Sequence, residues 1–323
     1  MSADGTTRRR FLTGAAATGG ALLVGSCGAD TAGRAGRSVV ADDSPAARRT
    51  VDPKHPNVIY ITGDDLGTQL GPYGSTAVRT PRLDAFADDA LVFERAWCQV
   101  ALCGPSRTSI LTGLRPETTG VWANDTPWRP AVPDSVTLPR RFRDAGYRTY
   151  AAGKVNDPRN GPLDDAWDLQ VQEWALASAA PAKQALGAAA DHDGPFFVAL
   201  GFEQPHCPWE GAEPDTAGAA LVGPTREADA SWVSYCLPDS GHRGSGRITM
   251  TDDEALAAAA GYAAGVAALD RAVGEVLDTA DELGLLDGTI VIFWSGDHGI
   301  SLGGGGGWGK RSNHAAATHI PLI

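Results

Sequence analysis

Residues 57–65 read Asn-Val-Ile-Tyr-Ile-Thr-Gly-Asp-Asp, a β-branched apolar run that stops on a glycine and delivers two adjacent carboxylates. Runs of this kind alternate along the chain with helical patterns, the signature of an α/β fold with a mostly parallel central sheet and helices on both faces. In such sheets ligands collect beyond the carboxyl ends of the strands. The residues just past each run are therefore the first to inspect.

Three further runs repeat the arrangement. Residues 288–294, Gly-Thr-Ile-Val-Ile-Phe-Trp, lead into Ser295-Gly296-Asp297-His298-Gly299. Residues 147–152 lead to Gly153-Lys154, and residues 195–200 lead to Gln204-Pro205-His206. Asp64, Asp65 and Asp297 brought to one sheet edge would repel one another and rise in pKa unless a cation neutralised them. Oxygen-rich ligation of that sort suits a hard divalent ion, Ca²⁺ or Mg²⁺, rather than zinc. The plainer reading makes the aspartates helix caps or turn residues and Lys154 and His206 surface charges.

Residues 103–113, Cys-Gly-Pro-Ser-Arg-Thr-Ser-Ile-Leu-Thr-Gly, predict a helix with Pro105 in its first turn and Cys103 at its head. Helix N-termini attract anions through free N–H groups and the macrodipole. Arg107, one turn in, adds a forked donor to an oxyanion. A cation, a helix N-terminus, Arg, Lys and His together suit a tetrahedral oxyanion ester. A thiol nucleophile working with His206 is the competing chemistry, but it leaves the acidic pairs without a purpose.

The 323 residues, 43% of them hydrophobic, are enough for a sizeable core. The net charge of −12 argues against nucleic acid as a partner. Arg8-Arg9-Arg10-Phe11-Leu12 precedes an apolar small-residue run from Ala15 to Val24, which reads as a twin-arginine export signal. Leu23-Val24-Gly25-Ser26-Cys27 resembles a lipobox, so Cys27 would carry a lipid anchor, the chain's only attachment to a membrane. The expected organisation is a signal at 1–27, a linker at 28–56 and a catalytic domain at 57–323. With Cys27 and Cys103 set aside, Cys98, Cys207 and Cys236 leave room for at most one internal disulfide, its pairing open.

Cys-x-Pro-Ser-Arg followed by Leu-Thr-Gly at 103–113 resembles the signature of the formylglycine-dependent sulfatases, most closely the iduronate-2-sulfatase-like branch. The likeness extends over "NVIYITGDDLG", "RPETTGVW", "AAGKV", "QPHCPW" and "GTIVIFWSGDHGISLG" through "ATHIPLI", roughly residues 57–323. It implies an alkaline-phosphatase-like fold and hydrolysis of a sulfate ester, on a sulfated small molecule or glycan. Cys103 would be converted to formylglycine by a formylglycine-generating enzyme during maturation. Asp64, Asp65, Asp297, His298 and the modified Cys103 would hold Ca²⁺. Arg107 would stabilise the hydrate, Lys154 and Lys310 would neutralise the sulfate oxygens, and His206 would protonate the leaving alcohol or hold its oxygen. Phosphate or phosphonate ester hydrolysis, and a non-catalytic lipoprotein that keeps the fold, are the other readings.

Three departures bear on these expectations. The family places a second histidine soon after the lysine, where this chain has Asn156. Gly303–Gly307 replace a more ordinary sequence and predict a mobile loop that holds Lys310 less firmly. The small C-terminal antiparallel sheet that the resemblance implies is not reached by residue 323. Farther in, Thr251-Asp252-Asp253-Glu254 predicts a capping box, with Tyr262, Val266, Leu269, Val273 and Leu277 at helical spacing up to Gly284.

Overall fold

A computed structural model describes residues 52–323, apart from 164–165, 172–173, 175–177, 210–215, 295–296 and 305–306. The export signal, Cys27 and most of the linker lie outside the described residues.

The chain runs β1 (Asn57–Asp64), α1 (Pro81–Asp88), α2 (Cys103–Thr112), α3 (Pro116–Thr119), α4 (Leu138–Asp144), β2 (Arg148–Gly153), β3 (Leu169–Val171), α5 (Ala180–Ala190) and β4 (Phe196–Pro205). It continues with β5 (Glu227–Asp229), α6 (Ala230–Cys236), β6 (Arg247–Thr249), α7 (Asp252–Glu282), β7 (Thr289–Phe293), β8 (Ser301–Leu302), β9 (Trp308–Gly309) and α8 (Ala315–Thr318). Five strands form the central sheet in the order β3-β2-β4-β1-β7. Every pairing in it is parallel. Strands running the same way put all four of their chemically loaded C-terminal ends on one edge.

Successive residues of a strand point to opposite faces, and β1 shows it. Ile59 and Ile61 pack with Leu83 of α1, Leu186 of α5 and Val266, Leu269 and Val273 of α7. Val58 and Tyr60 pack with Leu111 of α2 and Leu138 and Phe142 of α4. Helices therefore cover both faces, as the apolar runs require. Thr251 caps α7 reciprocally with Glu254, and Gly284 just past its end takes φ 66°.

Local irregularities aim the site. The β1–β4 register shifts between Thr62 and Asp64, a bulge that turns the chain toward the sheet edge. Gly63 sits in the bend, where a Cβ would stand 2.7 Å from Leu269 Cδ2 and 2.9 Å from the Gln204 carbonyl. No larger residue fits there without displacing α7 or β4.

The glycine stretch closes a hairpin between β8 and β9 rather than hanging free at its ends. Leu302 pairs with Trp308, Gly303 N donates to the Gly307 carbonyl at 3.1 Å, and Ser301 Oγ donates to the carbonyls of Gly304 and Gly307. Beyond it, Trp294 bridges to Leu322 in antiparallel fashion beside β7. Cys207 and Cys236 form the one disulfide among the described residues, and Cys98 is a free thiol.

Candidate active site

Helix α2 begins at Cys103, whose side chain is 1% exposed. Asn124 Oδ1 accepts from Gly104 N at 2.8 Å, satisfying one of the free donors of the first turn. The Cys103 Sγ lies 3.4 Å from His298 Nε2 and 3.4 Å from Lys310 Nζ. Burial pushes the thiol pKa up, but Lys310, with Lys154 and His298, overrides it and holds the group well below its ordinary value. Position 103 is therefore built for negative charge.

Asp65 and Asp297 face this sulfur from the ends of β1 and β7. Asp65, Cys103, Asp297 and His298, all buried, bring ligand atoms within 4.8 Å of one another. Asp65 adopts φ 65°, a left-handed conformation that costs a non-glycine residue energy and is stored at functional positions. Its Oδ2 is buried with no hydrogen-bond partner. An orphaned carboxylate oxygen among a second carboxylate and an imidazole is the environment a divalent cation fits. Burial, and then the neighbouring Asp64 charge, raise Asp297 to about 8. His298 Nδ1 donates to the Gly299 carbonyl at 2.9 Å, turning Nε2 toward the cluster.

Asp64, expected among the metal ligands, also carries ion pairs. Its two oxygens are taken by Arg107 Nη2 at 3.2 Å and Lys154 Nζ at 2.8 Å. Burial raises its pKa, and Lys154 and Arg107 more than reverse this, leaving it well below the usual carboxylate range. It shares a second grouping of potential ligand atoms with Cys103 and His206. Arg107 also donates through Nε to Asp297 at 3.2 Å and through Nη1 to the Lys154 and Val155 carbonyls. This arginine, 1% exposed, ties α2 to β1, β2 and the turn after β7.

Lys310, just past the glycine hairpin, reaches Asp65 Oδ1 at 2.8 Å. The expectation of a loosely held lysine gives way to one anchored by this pair. His206, past β4, donates from Nδ1 to the Cys207 carbonyl, so its Nε2 faces Asp65 Oδ2 at 3.8 Å. Burial would lower its pKa, but Asp65 and contact with Cys103 raise it to about 9. Asn156 points away, donating to the Gly161 carbonyl at 3.2 Å.

Two contributors carried no separate sequence signal. Asp157, fully buried as a side chain, lies 3.8 Å from Lys154 Nζ while holding Arg159. Tyr262, expected only to pack, accepts from Gly67 N at 3.1 Å and fixes the loop after β1. An acidic residue three positions after Lys154 and a tyrosine on the buried face of α7 were the available hints.

A model of the sulfatase family matches residues 56–323. The chain is 32% identical to iduronate 2-sulfatase of Homo sapiens, over 83% of this chain and 59% of that protein. It is 28% identical to a sulfatase of Formosa agariphila, over 87% of this chain and 66% of that one. The chain thus spans about three fifths of the length of the iduronate 2-sulfatases it matches. Among solved structures, a phosphonate monoester hydrolase of Agrobacterium radiobacter superposes with a TM-score of 0.61 at 22% identity, over 83% of this chain and 67% of that one. A protein solved with its substrate D-glucosamine-2-N,6-O-disulfate gives a TM-score of 0.64 at 21% identity, over 83% and 70%. Those two likenesses speak to the alkaline-phosphatase-like fold alone. With the family model spanning the whole described sheet and the Cys103 motif at its centre, the chain belongs to the sulfatase family.

Proposed function

We propose that this chain is the catalytic part of an exported sulfatase that hydrolyses the sulfate ester of a sugar or other organic alcohol. Its support is the placement of Cys103 Sγ, 3.4 Å from both His298 and Lys310 at the head of α2. The twin-arginine segment supports export, and Cys27 supports a lipid anchor.

Cys103 is the residue that would be converted to formylglycine, whose hydrate would supply the nucleophilic hydroxyl and a second hydroxyl for release of sulfate. Asp65, Asp297 and His298, with Asp64 at their edge and an oxygen on residue 103, would hold Ca²⁺, which supplies Lewis-acid polarisation of a sulfate oxygen. The remaining work falls to the chain's own side chains. Lys154 and Lys310 converge on residue 103 from β2 and the β8–β9 hairpin, and there they neutralise the non-bridging sulfate oxygens. Arg107 holds Asp64 and Asp297 in place through Nη2 and Nε. His206, its Nδ1 committed to the Cys207 carbonyl, gives the Nε2 proton to the departing alkoxide oxygen.

Phosphate esters present the same tetrahedral anion, so the two chemistries are separated by rate. In protein co-produced with a formylglycine-generating enzyme, an aryl sulfate is expected to turn over at least about a hundredfold faster than the matching aryl phosphate, roughly 3 kcal/mol of discrimination. Phosphate turnover at equal or higher rate would replace sulfatase by phosphoesterase, and no turnover of either would remove the hydrolase reading.

A further inference from the structure

The segment from Pro205 to Trp209 carries His206 past the end of β4, and it is tied both to itself and to α6. His206 N donates to the Glu203 carbonyl at 2.9 Å, making a tight turn at the strand end. Trp209 Nε1 donates back to the Pro205 carbonyl at 3.0 Å, which closes a loop around His206 and Cys207. Trp209 N donates in turn to the Cys236 carbonyl at 2.9 Å, and the Cys207–Cys236 disulfide joins the same two segments covalently. Both sulfur-bearing residues are buried. Trp209 is buried as well, and a Cβ on Gly261 of α7 would stand 2.5 Å from its Cβ, so α7 packs directly behind the loop.

This register sets side chains in pairs. Cys207 is bonded to Cys236, and the residues that precede them, His206 and Tyr235, bring their ring centroids to 6.0 Å at an interplanar angle of 73°, an edge-to-face contact. Cys207 serves twice. Its carbonyl accepts from His206 Nδ1 and its sulfur carries the covalent tie. A bond made by one ring nitrogen of a histidine decides where the other points. The peptide that aims His206 Nε2 toward Asp65 is therefore itself held by a residue 29 positions away in sequence. Tyr235 is 54% exposed on the outer side of α6, so its contact with His206 is made at the rim of the site and not in the core.

We propose that Tyr235 and the Cys207–Cys236 disulfide are positioning elements for His206: the disulfide fixes the carbonyl that orients the imidazole, and the Tyr235 ring blocks its swing away from residue 103. Both act through His206. The proposal rests on the reading of His206 as the group that meets the leaving oxygen.

A proton is needed most where the leaving oxygen is most basic, so displacement of His206 has a signature that general loss of structure lacks. An alkyl sulfate leaves as a strongly basic alkoxide, whereas a nitrophenyl sulfate leaves as a weakly basic phenolate. The test compares kcat/KM for these two esters in the full chain produced with a formylglycine-generating enzyme. Tyr235→Ala, and separately the double substitution Cys207→Ala with Cys236→Ala, are each expected to lower alkyl sulfate turnover about tenfold or more beyond any loss on the nitrophenyl ester, a part of the full contribution of a general acid. Tyr235→Phe keeps the ring and should keep the unmutated ratio. A second readout needs no turnover: the Nδ1–H proton resonance of His206, identified by its loss in His206→Gln, should persist in the unmutated and Tyr235→Phe chains and exchange away with water in the other two.

Equal losses on both esters with the resonance in place, in Tyr235→Ala, would reduce Tyr235 to a surface residue and overturn its assignment. The same result in the double substitution would reduce the disulfide to a stabilising cross-link and overturn that one. Absence of nitrophenyl sulfate turnover by the unmutated chain would count against the sulfatase reading alone, because the resonance judges the positioning without it.

Discussion

Replacing Cys103 by alanine is expected to abolish sulfate-ester turnover while leaving the fold in place. The side chain removed is small, and alanine is the best helix former, so the head of α2 persists. Stability should change by about 1 kcal/mol or less, within the range of mild substitutions. Activity should fall at least about a thousandfold, the scale on which loss of a covalent nucleophile acts. The substitution removes the group that Lys310 and His298 converge on at 3.4 Å, and among the described residues no other nucleophilic side chain is placed there. Ser106, the nearest hydroxyl along the helix, donates to the Asp297 carbonyl at 2.5 Å and is committed there. Sulfate release measured side by side for the two proteins, with circular dichroism melts as the folding control, decides it. Activity retained within about tenfold would show that position 103 is not the nucleophile.

Arg107→Ala is expected to be the most destabilising single substitution in the site. The guanidinium is buried between Asp64 and Asp297, 3.2 Å from each. Removing one partner of a buried ion pair leaves uncompensated charge and costs about 3–5 kcal/mol. For a domain of this size that is roughly a 10 °C fall in Tm. The deficit should depend on pH in a defined direction. Asp297 is raised to about 8 in the folded state from an ordinary 3.8. Between those values the folded state binds the extra proton, so stability falls as pH rises through that window. Loss of Arg107 raises Asp297 further and steepens the fall. Melts without added divalent cation should therefore show a larger deficit near pH 9 than near pH 6. A deficit that shrinks with rising pH, or a Tm within about 2 °C of the unmutated chain, would show that Arg107 does not carry the charge balance of the site.

The sheet edge was legible because its signal is local. Each of β1, β2, β4 and β7 is an apolar run that ends on glycine or proline and then an ionisable residue, and parallel pairing puts those ends together. Cys103 could be placed at a helix head from Pro105 and the following pattern, and α7 from its capping box. What stayed hidden depends on contacts distant in sequence. That Asp64 also serves as an ion-pair partner carried no local signal. Only the fold brings Arg107 and Lys154 onto both of its oxygens. The Cys207–Cys236 pairing was one of several allowed by three cysteines, and the fold selects it by bringing the end of α6 beside the segment after β4, where Trp209 N donates to the Cys236 carbonyl. The glycine stretch read as slack, because hydrogen bonds between Ser301, Gly303, Gly304 and Gly307 are invisible to composition.

The central claim is that position 103 is built to carry an oxidised side chain beside a cation and two lysines. Its most direct test is mass spectrometry of the peptide spanning residue 103, from protein produced together with a formylglycine-generating enzyme. The predicted result is an aldehyde at 103 in place of the thiol, in the same preparation that releases sulfate. An intact Cys103 thiol throughout an actively hydrolysing preparation would contradict the account.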